Sequence, residues 1–538
     1  MAFFRNIFGV ATHPPARGVP SSRSHPRVME DPFRCPRTET VRELARILDD
    51  EQVVLVRGTP TSGKTTLAKL LDEYYERHDV PSVLIRSWPK DGYNLYTDIL
   101  IQRARRKGHT FVTENNIDNC NIVFIIDEAQ MSYHDQTLWL EFIKPQISRL
   151  HGPRICLFCS YGSPTGGATN FDAGSPVGFI GIQKRVSLTV SNIRYAPSIC
   201  LFYNRAEFDD VIHRLCADIR RPLPLDDEAR DYIFDLTNGH PGAVEAVIDI
   251  LKRVYHSQIK HEGITVGVDH IASLLDDEES SFDLLALTGF MRCFPPRNVD
   301  TATANVLRAV LANQNVPLDR DDKGTEICYK NGWLHAEPLD IDAQTIVCIF
   351  PTKLHLKFVE YYLTGSSAPF PYQKFPSIES LAETVLRGFS LRNLASAARL
   401  GTGVAVRPVE ASYQDEFYRS LQQVLGFSAK VTSEWTGDKD NRIDFRIDDP
   451  RWGIKLLRDG NRLGEHCDRF VGNGRYTPWI QSGLLQDWLV IDCRTSFPRE
   501  YRVPGTKLWR AVFASDYTSV RILDASNQIV VDEFSLMS

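Results

Sequence analysis

The chain has 538 residues, 43% apolar, 10% aromatic and 24% charged, an ordinary globular composition too long for one core. A formal charge of −6 excludes global attraction to nucleic acid or membrane, so any polyanion must be met by a local patch. Eleven scattered cysteines argue against a fully disulfide-paired secreted fold and for free thiols, and no run approaches the roughly 18 apolar residues that cross a bilayer.

Residues 1–36 hold six prolines and five arginines against two acids, which predicts a flexible basic tail. Arg5 and Asn6 break the apolar opening, so a classical secretion signal is not expected and the protein is placed inside the cell, in cytoplasm or nucleus. Thr40 and Glu43 have capping-box spacing and predict a helix over Val41 to Leu48. The apolar run Val53 to Val56 then predicts a strand, and Thr66 to Tyr75 a helix.

Between them stands Gly58-Thr59-Pro60-Thr61-Ser62-Gly63-Lys64-Thr65, a complete phosphate loop continued by Thr66. Its glycines let backbone N–H groups turn toward phosphate oxygens, and the following helix adds its positive dipole end. Lys64 is placed for the β and γ phosphates and Thr65 for Mg²⁺, so ATP with magnesium is the expected cofactor. Strand Ser82 to Ile85 and helix Asn94 to Arg105 lead to Asn121-Ile-Val-Phe-Ile-Ile-Asp127-Glu128. An apolar run ending in two acids fits a parallel strand buried on both faces. Asp127 is the candidate metal ligand, and Glu128 the candidate base for the attacking water, which favours hydrolysis over plain binding.

Strand Arg154 to Cys159 is followed at once by Ser160, a candidate sensor of the γ phosphate, then by a glycine-rich loop from Gly162 to Gly178 and strand Arg185 to Thr189. Strand alternation puts Cys156 and Cys159 on opposite faces, against a metal or redox pair. Arg149, Arg154 and Arg185 are equal candidates for an arginine finger. Residues 205–255 read as helical around Thr237-Asn-Gly-His-Pro-Gly-Ala243, where Pro241 starts a tight helix entry able to approach nucleotide. Residues 303–364 have the order of a winged helix, expected to pack on the ATPase core.

Gly365 to Ser377, with three prolines, is the clearest linker signal. Beyond it, helices Glu379 to Ala397 and Asp415 to Leu425 precede strands at Arg442 to Ile447, Trp452 to Leu457 and Trp488 to Asp492. The order suits a restriction-endonuclease-like core, which gathers acids around magnesium. The expected fold is therefore α/β: a flexible tail (1–36), a doubly wound P-loop NTPase core (37–200), a helical lid (201–280), a winged-helix-like domain (281–364), a linker (365–377) and a nuclease-like domain (378–538). The NTPase module is also the candidate surface for homo-oligomerisation. A small-molecule phosphotransferase fits poorly, because a helical lid and a winged helix follow the core.

The phosphate loop, Ile126-Asp127-Glu128, the Asn238 to Ala243 stretch and Trp452-Gly-Ile-Lys-Leu-Leu-Arg-Asp-Gly460 together resemble fungal and oomycete Crinkler-type proteins. Leu463 to Phe470 and Asp492-Cys-Arg494 add to the resemblance, which covers about residues 30–538. It implies an AAA- or STAND-like ATPase joined to a nuclease-like domain that acts on DNA, in an effector or toxin delivered to a host by a non-classical route. Asp444 would then be the metal ligand, supported by Glu416. Members of the family usually carry an acid where Lys455 stands. A lysine there replaces attraction for Mg²⁺ by repulsion, a swing of several kcal/mol in order of magnitude. Glu465, His466 or Asp468 could compensate, or Lys455 could itself stabilise the attacking hydroxide. The alternative is a nucleotide-regulated, catalytically degenerate domain that grips DNA or a partner without cutting.

Overall fold

A computed structural model describes residues 31–89, 95–149, 151–160, 180–191, 193–296, 299–319, 321–338, 345–364, 369–391, 394, 409–426, 429–438 and 441–537. Most of the basic tail and the loop from Gly162 to Gly178 lie outside that set. Five strands, β1 (Val53–Arg57), β2 (Ser82–Ile85), β3 (Val123–Ile126), β4 (Arg154–Cys159) and β5 (Arg185–Val186), form an all-parallel sheet in the order β2-β3-β4-β1-β5. The interiors of β1, β3 and β4 are apolar because both faces of the sheet are covered. Val53, Leu55, Phe124 and Leu157 join one core; Val54, Val56, Ile125 and Phe158 join the other. Cys156 and Cys159 likewise fall into different cores, as strand alternation requires.

The opening helix spans Thr38–Glu51, and its cap differs from the sequence expectation. Arg37, with φ of 47°, occupies the N-cap, while Thr40 lies inside the helix and donates to the Glu207 carboxylate at 2.5 Å. Arg37 donates to the same carboxylate at 3.0 Å. A buried acid from a distant helix thus outcompetes the local capping box for the threonine hydroxyl.

Helices Arg205–Cys216, Asp227–Thr237, Pro241–Val254 and Val268–Asp276 share one continuous apolar core with Thr301–Asn313, Lys323–Lys330 and Lys353–Thr364. Between the last three lies a small antiparallel sheet of β6 (Val316–Pro317), β7 (His335–Pro338) and β8 (Ile346–Ile349), in the order β6-β8-β7. The stretch expected to be a linker is packed where it is described. Phe370 and Phe375 are buried, Phe370 lies edge-on to Trp452, and its N–H donates to Asp449 at 2.9 Å. Two aromatic side chains outweigh the local proline signal by the apolar area they remove from water.

The C-terminal sheet is mixed. It comprises β9 (Val431–Asp438), β10 (Asn441–Ile447), β11 (Trp452–Arg458), β12 (Asp487–Arg494), β13 (Leu508–Phe513), β14 (Ser519–Leu523) and β15 (Ile529–Ser535), ordered by sequence. The β11–β12 and β12–β13 pairs are parallel and the others antiparallel. Helices Ile378–Arg387 and Val409–Leu425 cover one face. The first ends at Gly388 rather than continuing to Ala397, because the Gly388 N–H turns back to Val385 O. Among the described residues no helix is long and apolar enough to cross a membrane.

His335 on β7 is buried, and both ring nitrogens lack a hydrogen-bond partner. Burial, with Arg57 adding, pushes its pKa down to about 3, although Glu337 lies 3.8 Å away. The unfolded chain therefore takes up a proton near pH 6.5 that the folded chain refuses until about pH 3, so stability falls as pH drops through that window. His335→Gln is expected to flatten the acid limb of a stability-against-pH curve by about 1.4 kcal/mol per pH unit, read by urea unfolding.

Candidate functional site

The phosphate loop leaves β1 still in sheet register, since the Gly58 N–H donates to Cys159 O at 3.1 Å. A Cβ at Gly58 would lie 2.4 Å from Leu201 Cδ1 and 2.5 Å from Ser62 Oγ, so the turn admits no side chain. Gly63, with φ of +89°, reverses the chain and caps the helix Lys64–Arg77. Ser62 Oγ donates to Thr59 O at 2.8 Å, and the Lys64 ammonium donates to Thr59 O at 2.6 Å and Gly58 O at 3.2 Å. The loop is thereby folded around its own lysine. Burial pushes that ammonium below its ordinary range, against the pull of Glu128 and Asp127.

Asp127 and Glu128 emerge at the carboxyl end of β3, two strands from β1. The Asp127 N–H continues the ladder to Ile85 O at 2.8 Å, and the Thr65 hydroxyl faces its carboxylate. Burial raises the Asp127 pKa, and the Thr65 hydroxyl resists that rise. Glu128 has φ of 51°, an uncommon conformation for a residue other than glycine, held here by its partners. Ser160 Oγ donates to its Oε2 at 2.9 Å, and Gln130 Nε2 donates to the same oxygen. Gln130 Oε1 in turn accepts from the Ser160 N–H at 3.0 Å. Gln130 thus fixes both residues, and sequence reading passed it over because it lies in a short 3₁₀ turn with no motif of its own.

Two more segments close on the loop. The His240-Pro241-Gly242 entry of helix Pro241–Val254 packs against it, and the Gly242 N–H donates to Thr61 O at 3.1 Å. A Cβ on Gly242 would fall 2.5 Å from Thr61 Oγ1, and one on Gly63 would fall 3.2 Å from Pro241 Cγ. From the other side, a Cβ on Gly332 would fall 2.7 Å from Pro60 Cδ. A cleft of about 1180 Å³ remains, lined by Pro60, Thr61, Ser62, Gly63, Lys64, Thr65 and Thr66, with Glu128, Ser160 and Pro241. Lys69, Arg253 and Arg292 also line it, cations contributed by separate segments that no sequence spacing connects. Arg149, Arg154 and Arg185 do not line it; they donate to Asp118 O, to Asn121 and to Ile180 O, respectively.

In the C-terminal sheet, Asp444 on β10 faces Lys455 on β11. Lys455 Nζ lies 2.5 Å from Asp444 Oδ1, and the Leu456 N–H donates to Oδ2 at 2.7 Å. Both carboxylate oxygens are thus engaged by the chain itself. Glu416 is buried on helix Val409–Leu425, where Arg419 Nε donates to it at 2.9 Å and the Ser390 N–H at 2.5 Å. Its carboxylate is bound into the Gly388–Arg419 corner. Asp492 accepts from the Gly460 N–H at 2.7 Å and from Arg510 at 2.8 Å. Burial and the nearby Lys455 push the His466 pKa down to about 4, so that ring is neutral near pH 7. Glu465 pairs with Arg469.

No family model matches the chain, and no curated protein matches it. Among solved structures, the Walker-type ATPase of Pyrococcus abyssi is similar at 15% identity over 60% of this chain and 95% of its own, with a TM-score of 0.33. The RuvB Holliday junction branch migration motor of Thermotoga maritima is 15% identical over 58% and 91%, with a TM-score of 0.27. Cdc6p from Pyrobaculum aerophilum is 14% identical over 64% and 96%, with a TM-score of 0.29. At these scores the likeness carries no argument, and the class rests on the geometry. The parallel sheet, the glycine-gated loop opening a helix and the acid pair two strands away make the N-terminal half a P-loop NTPase fold.

Gly242→Ala sets a methyl group against the phosphate loop. It is expected to cost about 1–3 kcal/mol of stability by overpacking, read as a lower midpoint in thermal unfolding.

Proposed function

We propose that the chain is an ATP-binding and ATP-hydrolysing switch whose C-terminal sheet grips DNA or a partner, in an effector or toxin of Crinkler type. The observation that supports it most is the convergence of Lys64, the Thr65–Asp127 pair and the Glu128–Ser160 pair on one cleft. The donor set fits ATP with Mg²⁺: a helix N-terminus and ammonium for phosphate, a hydroxyl and a carboxylate for the ion. When bound between Thr65 and Asp127, Mg²⁺ supplies charge neutralisation at the phosphate oxygens. Lys64 exchanges the carbonyls of Gly58 and Thr59 for phosphate oxygens. Glu128 takes the proton of the attacking water, with Ser160 and Gln130 setting the direction of its carboxylate.

The lid carries the state of the cleft outward. Gly242 touches the loop directly, and the lid side meets the C-terminal sheet through Glu278 and Lys430, 2.5 Å apart, and through Lys357, which donates to Ser433 O at 3.3 Å. In that sheet Lys455 favours gripping over cutting. Its ammonium sits at the carboxylate a nuclease would lend to Mg²⁺, and displacing it would break a largely buried pair, typically a loss of about 3–5 kcal/mol.

Lys64→Ala is expected to abolish ATP binding in calorimetry, whereas Glu128→Gln keeps binding and loses turnover. Normal hydrolysis by Glu128→Gln would remove the assigned base. With Mg²⁺ and plasmid, the unaltered chain is expected to nick DNA weakly or not at all, and Lys455→Glu to raise cleavage, with Asp444→Ala as the inactive control. Robust cutting by the unaltered chain would reverse the assignment in favour of a working nuclease.

A further inference from the structure

Beneath the phosphate loop, His240, Cys293 and His355 bring one ligating atom each to within 4.8 Å of one another, the one such buried group among the described residues. They come from three separate elements: the N-cap of helix Pro241–Val254, the end of the 3₁₀ turn Gly289–Cys293, and helix Lys353–Thr364. We propose that these three side chains bind one divalent ion of zinc type, which pins lid and winged-helix-like segments together under the phosphate loop. Nothing in this proposal depends on the nucleotide reading.

The first support is the pair of orphan atoms. His240 Nε2 and His355 Nε2 are both fully buried, and neither has a hydrogen-bond partner. Two unsatisfied ring nitrogens side by side in a dry core are costly, and an ion satisfies both. The second is the positioning of His355. Thr352 Oγ1 lies 2.8 Å from its Nδ1, so an Nδ1–H donating to the hydroxyl leaves the Nε2 lone pair free for metal. That is the outer-shell arrangement that orients ligating histidines. The third is the surroundings. Phe290 and Phe294 pack on His355, and Phe202 and Phe290 on His240, with ring centroids 4.8 to 5.3 Å apart. They exclude water that would otherwise hydrate the ion.

Burial keeps both imidazoles in the neutral form that binds metal, with His355 pushed down to about 3 and His240 well below its ordinary range. Burial also pushes the Cys293 thiol up to about 12, so ion entry displaces the thiol proton to solvent and leaves a metal-bound thiolate, one proton released per ion. His240 Nδ1 accepts from the Ala243 N–H at a long 3.3 Å, and ligation through Nε2 exchanges that weak cap for an Nδ1–H. Two nitrogens and one thiolate are a borderline-soft set, suited to Zn²⁺ rather than to Mg²⁺ or Ca²⁺. Cys293 Sγ also lies 3.0 Å from Thr61 Oγ1 and 3.1 Å from Pro60 O, so the ion would sit one atom from the phosphate loop.

The test is a metal titration of the full chain, dialysed against EDTA and free of nucleotide. Co²⁺ is expected to bind at one equivalent with a thiolate-to-cobalt absorption band that Zn²⁺ then bleaches. Cys293→Ser should lose the band, while Cys216→Ser, away from the cluster, and Lys64→Ala, in the phosphate loop, keep it. Thr352→Ala should keep the circular dichroism spectrum and weaken Zn²⁺ binding by about 10- to 100-fold, which carries the test should Cys293→Ser fold poorly. A folded, unaltered chain that shows no cobalt–thiolate band, or a band that survives Cys293→Ser, overturns the proposal. So does Zn²⁺ affinity unchanged in Thr352→Ala.

Discussion

The phosphate loop is a contact before it is a binding site. Three stretches far apart in sequence press on eight residues: the end of β4 through Cys159, the entry of helix Pro241–Val254 through Gly242, and the turn at Gly332. Each approach is so close that only glycine serves at Gly58, Gly242 and Gly332, because an added Cβ would meet atoms at 2.4 to 2.7 Å. A loop packed this tightly has few arrangements open to it. Displacement at the cleft must therefore pass to helix Pro241–Val254 or to the small sheet, since close-packed interiors transmit strain rather than absorb it.

The acid side of the cleft follows the same logic with polar atoms. Glu128 adopts a left-handed backbone conformation, and its carboxylate is held by Ser160 and Gln130 rather than left free. The local strain is offset by charge-assisted hydrogen bonds in a partly buried setting. Asp127 and Thr65 form the complementary pair on the neighbouring side. The cleft thus separates two carboxylates into different environments, the usual physical basis for giving them different tasks.

The C-terminal sheet shows how one residue changes what a framework can do. Asp444 stands on β10 beside β11, where a neighbouring acid would make a cation site, but Lys455 Nζ lies against its Oδ1. The same face of that sheet carries a second buried group, Asp492 with Arg510 and Arg494. Both acids have protein cations as partners. That makes the sheet internally neutralised, a property suited to stable packing and to contacts made by its surroundings.

The local patterns announced themselves. An unbroken apolar run followed by glycines and a helix could be read as a phosphate loop, and an apolar run ending in Asp127-Glu128 as a buried parallel strand, because those patterns are dictated by backbone geometry within a few residues. Two helices and a ribbon within 303–364 were legible for the same reason, whereas the short strand Val316–Pro317 between the helices was not. What spacing could not reach were partners supplied by distant segments. Thr40 was assigned to Glu43 but bonds Glu207, Glu416 was read as supporting Asp444 with no sign of its bond from Arg419, and Gln130, Lys69, Arg253 and Arg292 went unnoticed. The sequence by itself determined the elements and the phosphate-gripping turn, which depend on local torsions and alternating burial. Only the tertiary structure decided which acid meets which cation and which glycines sit against the loop, because those choices are made by groups competing across space for a limited number of buried partners.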